Sequence, residues 1–114
     1  MQNWNEYARE LKSRISQIGK LNPDVLKGYL TLSSAKPANA KLDGKTRELI
    51  SLAVAVTARC DGCIVVHTTA AKKLGATEEE IMEALGVAIS VNAGAALVYS
   101  ARTLDAYSQV GEEK

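Results

Sequence analysis

The sequence predicts an all-α protein, a compact domain of six helices that spans residues 1–114. Apolar residues recur at the three- and four-residue spacing of amphipathic helices along most of the chain. The composition is 46% hydrophobic and 24% charged, as in an ordinary globular protein, and alanine is the most frequent residue. Two β-branched runs, residues 54–56 and 64–66, are the main competing signal, because such residues also favour strands.

The first two helices are predicted on either side of a short break. The first ends near Gly19, and a favourable start for the second follows at once: Asn22 as the N-cap and Pro23 in the first turn. Residues 33–42 are predicted to form a loop, since they include proline and asparagine. The apolar stripe of the first helix consists of Trp4, Tyr7, Ala8, Leu11, Ile15 and Ile18.

The third and fourth helices are predicted to form the centre of the domain. Asp43 is a suitable N-cap for a third helix that continues through Glu48 toward Ala58 and is apolar on nearly all sides, as a buried helix is. A break at residues 59–62 precedes the fourth helix. That helix ends with two lysines in its last turn and Gly75 just beyond it.

The C-terminal part of the chain predicts two further helices and an assembly of several chains. Thr77 and Glu80 form a capping box for the fifth helix, and the sixth is expected from near Asn92 to about Ser108. Residues 84–101 carry no charge and approach the length of a membrane span, but their polar and small residues favour buried protein. One small domain cannot bury so long an uncharged helical stretch away from solvent, so we expect a homo-oligomer.

Composition and charge argue against several classes of partner. The formal net charge is +1 and only five residues are aromatic, so we expect no nucleic acid partner. One histidine and two cysteines cannot supply the four ligands of a closed zinc site made of nitrogen and sulfur. The N-terminus lacks a basic and apolar leader, which predicts a cytoplasmic location, and we expect no membrane partner.

The chemistry is predicted in one short segment. Cys60 and Cys63 are three residues apart and His67 follows four residues later, so a helix places all three on one face. A Cys-x-x-Cys pair suits two-electron redox chemistry, and the start of a helix favours a thiolate. Since His67 is one turn from Cys63, we assign Cys63 as the attacking thiolate, Cys60 as the resolving thiol and His67 as the base.

Glu48 is the candidate that orients His67, because it enters an apolar helix and a buried carboxylate needs a partner. The competing interpretations are a solvated Glu48 near a helix start, a structural histidine, and cysteines that merely fill space. No cofactor is expected.

The segments DGKTRELISLAVA (residues 43–55), Cys60-x-x-Cys63-x-x-x-His67 and KLGATEEEI (residues 73–81) resemble the carboxymuconolactone decarboxylase superfamily, in particular its alkyl hydroperoxidase D-like branch. The resemblance covers roughly residues 20–108. It implies an all-helical fold assembled as trimers or hexamers. It also implies a proton relay in which Glu48 orients His67, and His67 activates Cys63 directly or through water, with Cys60 as the other redox-active thiol. Well-characterised peroxidases of the branch have a second histidine where this chain has Gly62.

The expected function is therefore that of a thiol-dependent peroxidase or disulfide oxidoreductase in antioxidant defence. A peroxide or disulfide is the expected substrate, and a small dithiol or a redox protein the expected electron donor. Two alternatives are a metal site made of Cys60, Cys63, His67 and Glu48, and a non-enzymatic oligomeric scaffold. Lactone decarboxylation is disfavoured, because the decarboxylases that name the superfamily lack this dithiol arrangement.

Overall fold

A computed structural model describes residues 1–111 and confirms the all-α prediction, with no strand in that range. These 111 residues form five helices. In order they are α1 (Trp4–Leu21), α2 (Pro23–Ser34), α3 (Gly44–Ala58), α4 (Asp61–Lys73) and α5 (Glu78–Gln109).

The prediction of six helices is wrong, because the fifth and sixth are one continuous 32-residue helix, α5. Asn92 was expected to begin a new helix. It lies instead within α5, where its side-chain amide donates a hydrogen bond to the Thr57 hydroxyl of α3 at 2.9 Å. No proline interrupts this stretch, and its many alanines favour helix continuation.

Three of the helix starts are capped by side-chain oxygens, and a fourth, that of α4, by the Cys60 sulfur. The side chains of Asn3, Asp43 and Thr77 each accept a backbone N–H three residues further on, at the starts of α1, α3 and α5. At α5 Glu80 returns a bond to the Thr77 N–H, which confirms the predicted capping box. Asn22 precedes α2 as expected, but among residues 1–111 its side chain forms no capping hydrogen bond.

The turns that end α3 and α4 use left-handed backbone. Gly75 follows α4 with φ 84°, and Ala76 N–H donates to Ala71 O, so the predicted C-terminal glycine is confirmed. Arg59 performs the same task after α3 with φ 57°. Cys60 N–H then donates to Ala55 O at 3.0 Å, which fixes the chain direction into α4.

The packing centre is α3, which contacts α4 and α5, while α1 packs against α2 and α4. Small side chains such as Ala55, Ala71 and Ala88 lie in these contacts and are buried. At the contact between α1 and α2, a Cβ at Gly19 would lie only 2.5 Å from Leu26 Cδ2, so a larger residue there would displace the Leu26 side chain. The buried hydrophobic residues are Leu52, Ala55, Ala71 and Ala88.

The chain by itself is not compact, contrary to the prediction. Its radius of gyration is 19.4 Å, whereas a compact chain of this length has about 13 Å. Residues 84–101 were predicted to be buried, but of these Ala88 alone is buried, and Leu97 and Val98 are each more than 70% exposed. By length and composition alone α5 is apolar enough to cross a membrane, which is weak evidence for a membrane span.

Candidate active site

The two cysteines lie at the start of α4, as predicted, and form a disulfide with their Cα atoms 5.3 Å apart. Cys60 is the N-cap residue, and its Sγ accepts a hydrogen bond from the Cys63 N–H at 3.1 Å. Both residues are half-buried. A helix N-terminus presents free N–H groups and positive potential, so the position stabilises negative charge on sulfur when the disulfide is reduced.

One turn further along α4, His67 pairs with Glu48 of α3. His67 Nδ1 lies 2.6 Å from Glu48 Oε2, and the side chains are 33% and 21% exposed. Glu48 therefore faces α4, and the interpretation of a solvated Glu48 is wrong. Because an ionised carboxylate only accepts hydrogen bonds, the Nδ1–H of His67 donates, and Nε2 keeps the lone pair that can take a proton.

The structure thus brings the predicted residues together as two pairs, the disulfide and the His67–Glu48 pair. Within residues 1–111, no hydrogen bond joins the His67 ring to either sulfur in this oxidised state. Residues four apart on a helix lie on the same side, so a substrate or water molecule can connect Cys63 to His67.

An ion pair fixes α3 one turn before Glu48. Lys45 Nζ lies 2.6 Å from Glu80 Oε2, which joins the first turns of α3 and α5. The hydrogen bond between them lowers the pKa of Glu80 and raises the pKa of Lys45. Hydrogen bonds from Thr46 lower the pKa of the Asp43 carboxyl at the N-cap. These charges hold the helix that carries Glu48.

A contact that the sequence did not indicate links α1 to the dipeptide between the cysteines. A Cβ at Gly62 would lie 2.9 Å from Leu11 Cδ2 and 3.7 Å from the Tyr7 hydroxyl oxygen. Gln2 Nε2 also donates to Asp61 Oδ2 at 3.3 Å. The apolar stripe of α1 signalled that Tyr7 and Leu11 pack somewhere, but not that their partner is the Cys-x-x-Cys segment.

The alternative of a metal site receives no support from these side chains. In the disulfide the two sulfurs are bonded to each other, so Cys60 and Cys63 do not act as thiolate ligands. Over residues 1–111, no group of three or more histidine, cysteine, aspartate or glutamate side chains is placed to hold a metal ion.

Comparison with known proteins agrees with the geometry. The sequence profile of the Carboxymuconolactone decarboxylase family matches residues 23–106. The chain belongs to this family. A carboxymuconolactone decarboxylase family protein from Legionella pneumophila has a similar structure, with a TM-score of 0.72 and 33% identity over 96% of this chain and 97% of that one. The resemblance noted in the sequence is thereby confirmed, and the Cys-x-x-Cys arrangement is consistent with the alkyl hydroperoxidase D-like branch.

Two further proteins are similar to this chain over most of their own length. A protein from Methanobacterium thermoautotrophicum has a TM-score of 0.67 and 32% identity, covering 74% of this chain and 94% of that one. An uncharacterized protein of Haemophilus influenzae is 48% identical over 106 residues, which is 93% of this chain and 94% of the relative. The family match begins at residue 23, so α1 lies before it.

Proposed function

We propose that this family member is a thiol-dependent peroxidase or disulfide oxidoreductase. The observation that carries the proposal is the bonded Cys60–Cys63 pair at the start of α4, one turn from an imidazole held by Glu48. A local disulfide accounts for reversible two-electron chemistry, and the His67–Glu48 pair accounts for proton transfer.

With a hydroperoxide as the oxidant, the reaction has two steps. The Cys63 thiolate attacks the terminal peroxide oxygen, the O–O bond breaks, and the alkoxide leaves as an alcohol after taking a proton; Cys63 becomes a sulfenic acid. Cys60 sulfur then attacks the Cys63 sulfur, which forms the disulfide and releases water. Together the two thiols lose two electrons, and the peroxide gains them.

Each of the four residues has a defined part in these steps. His67 Nε2 takes the Cys63 thiol proton and can return it to the leaving alkoxide. Glu48 holds the His67 Nδ1–H and stabilises the imidazolium that forms. The Cys63 N–H donates to the Cys60 sulfur, and this bond favours the thiolate form in which Cys60 attacks.

Two successive thiol exchanges restore the dithiol. A donor thiolate attacks one sulfur of the disulfide and expels the other as a thiolate; the donor's second thiol then attacks the mixed disulfide and leaves oxidised. We propose a small dithiol or a redox protein as the donor. A pair that must be reduced again in every cycle suits the reducing cytoplasm, where we place the protein.

The test is peroxide consumption under saturating dithiothreitol. The wild-type protein is expected to consume hydrogen peroxide catalytically, and Cys63→Ser to lose that activity. Cys60→Ser retains the attacking thiolate, so one equivalent of peroxide should convert Cys63 to a sulfenic acid that dimedone traps, as mass spectrometry would show. If Cys63→Ser consumes peroxide as fast as wild type, the assignment of Cys63 is wrong, and if the wild type consumes none with any dithiol offered, the protein is not a peroxidase.

We also propose that the protein works as a homo-oligomer, a trimer or hexamer as the family resemblance suggests. The support is the apolar surface of α5, where Val87, Ile89, Val91, Leu97 and Val98 are each more than 60% exposed. Burying this helix against further copies would give the chain the apolar core it lacks alone. Light scattering of the purified protein without detergent should give a mass of three or six chains; a monodisperse monomer would contradict the proposal.

A further inference from the structure

The start of α4 lies between two helices that play different parts. α4 packs against α3 and α1. His67, on one side, meets Glu48 of α3, whereas Gly62 meets Leu11 of α1. These two α4 residues are five positions apart, which separates them by about 140° around the helix axis. Cys63 lies between them in angle, so the sulfur pair has the acid–base pair on one flank and α1 on the other.

The contact of α1 with the Cys-x-x-Cys segment is close and is made at several points. Leu11 Cδ2 occupies the space a side chain at position 62 would need, and the Tyr7 hydroxyl borders the same space. The bond from Gln2 to Asp61 ties down the chain before α1. Tyr7 is supported in turn by Trp4, with ring centroids 5.9 Å apart in an edge-to-face arrangement.

We propose that α1 is the size-selecting wall of the dithiol site, with Leu11 and Tyr7 as its specificity-determining residues. In this proposal, a molecule that approaches Cys63 has the α3 side on one flank and, on the other, these two side chains, which border the adjacent Gly62. Small unbranched hydroperoxides and thiols fit this approach, whereas reagents with a bulky group next to the reacting atom meet Leu11. The choice of substrate class rests on the proposed function, but the restriction of access does not.

The absence of a side chain at Gly62 allows the close contact between α1 and the Cys-x-x-Cys segment. Any larger residue there would push against Leu11, so glycine permits α1 to lie close to the cysteines. Leu11 from another helix thus occupies the space that a side chain at position 62 would fill. The selectivity of the site would then depend on α1, which precedes the segment that matches the family profile.

The test measures the access of alkylating reagents to the reduced protein and needs no catalytic turnover. Wild type, Leu11→Ala and Leu21→Ala are reacted with iodoacetamide, which is small, and with fluorescein maleimide, which is bulky. Leu21 is the matched control because it is on α1 but 78% exposed. In Leu11→Ala the maleimide rate should rise about tenfold, the lower end of steric discrimination by an apolar pocket, while the iodoacetamide rate stays within about twofold of wild type.

A second measurement separates loss of the wall from loss of the fold. Trp4 is the only tryptophan and is half-buried at the start of α1, so an emission maximum that does not move to longer wavelength indicates that α1 remains docked. Should Leu11→Ala release α1, Leu11→Val shortens the side chain more mildly and should give a smaller but still selective increase. Equal acceleration of both reagents with α1 docked, no acceleration, or the same change in Leu21→Ala would overturn the inference. If the alkylation pattern appears but wild type consumes no peroxide, only the proposed function fails.

Discussion

His67 Nδ1 and Glu48 Oε2 lie 2.6 Å apart across the contact between α3 and α4, with each side chain at most one-third exposed. A carboxylate accepts hydrogen bonds, so it favours the tautomer in which Nδ1 carries the proton and leaves Nε2 free of this contact. In the proposed reaction the pair would couple helix packing to proton transfer, because the contact that joins α4 to α3 also holds the base that serves the dithiol.

Replacing Glu48 should slow the oxidation of the dithiol less than removing His67. Glu48→Gln keeps a hydrogen-bonding group of the same size but no longer stabilises the imidazolium, so we expect about a tenfold loss in the peroxide rate constant. His67→Ala removes the base, and the loss should be about a hundredfold. The measurement is peroxide consumption under saturating dithiothreitol at pH 7.

The pH profile provides the control for these two variants. Raising the pH supplies hydroxide that can deprotonate Cys63 without a base, so the activity of His67→Ala should recover toward wild type above the ordinary thiol pKa of about 8.5. Glu79→Gln changes an exposed carboxylate of α5 and should leave the rate as it is. A Glu48→Gln variant slower than His67→Ala would contradict the orienting role of Glu48.

Local signals in the sequence predicted most of the helix ends and the composition of the site. Asp43, Thr77 and Gly75 act where the sequence placed them, since capping and left-handed turns depend on residues close in the chain. The Cys60–Cys63 pair is equally local. The contact between Glu48 and His67 was also predicted, because regular helices place residues on definite faces and Glu48 on an apolar face needs a partner.

The features that the sequence failed to predict depend on contacts between distant segments. Asn92 has the character of a helix boundary, but Thr57 gives its side chain a partner 35 residues away, so α5 continues. The packing of Leu11 on Gly62 is likewise a contact between helices that no periodicity specifies. The prediction of a compact domain was wrong for a related reason. An apolar stretch indicates that its residues are buried, but not whether they are buried by the same chain or by another copy.

The close approach of Gly62 and Leu11 predicts a measurable coupling between them. Gly62→Ala alone gains helix propensity but forces Leu11 to shift, whereas in the Leu11→Ala background the added methyl group has space. The free energy change for Gly62→Ala should therefore be less favourable by about 1 kcal/mol when Leu11 is present. Denaturant unfolding of the four proteins of this cycle checks it, and additive effects would show that the two residues do not press on each other.

The ion pair between Lys45 and Glu80 predicts a loss of stability in acid. Its hydrogen bond lowers the pKa of Glu80 below the ordinary value of 4.5. A carboxyl group with a lowered pKa in the folded state stabilises the fold above its unfolded pKa, and this contribution disappears as the pH falls through the folded value. Wild type should thus be more stable than Glu80→Gln at pH 6, and the two should converge well below pH 4.5.

Unfolding by urea at a series of pH values provides the measurement, and two features identify the source of the effect. Glu79→Gln changes a carboxylate in the same turn of α5, and its free energy of unfolding should follow that of wild type at every pH if the ion pair is the cause. The exposed position of the pair also predicts that added salt reduces the difference at pH 6. A difference between wild type and Glu80→Gln that grows as the pH falls would contradict the assignment.

The left-handed conformation of Arg59 predicts a stabilising substitution beside the candidate active site. A non-glycine residue pays a steric cost at φ 57°, because its Cβ approaches the backbone carbonyl oxygen. Arg59→Gly removes this steric cost. Arg59→Ala removes the arginine charge as Arg59→Gly does, but it keeps the steric cost. Arg59→Gly should accordingly be more stable than Arg59→Ala by about 1 kcal/mol. Thermal unfolding of both variants in the oxidised state measures the difference, and equal stability would mean that the turn into Cys60 relaxes when the arginine is absent.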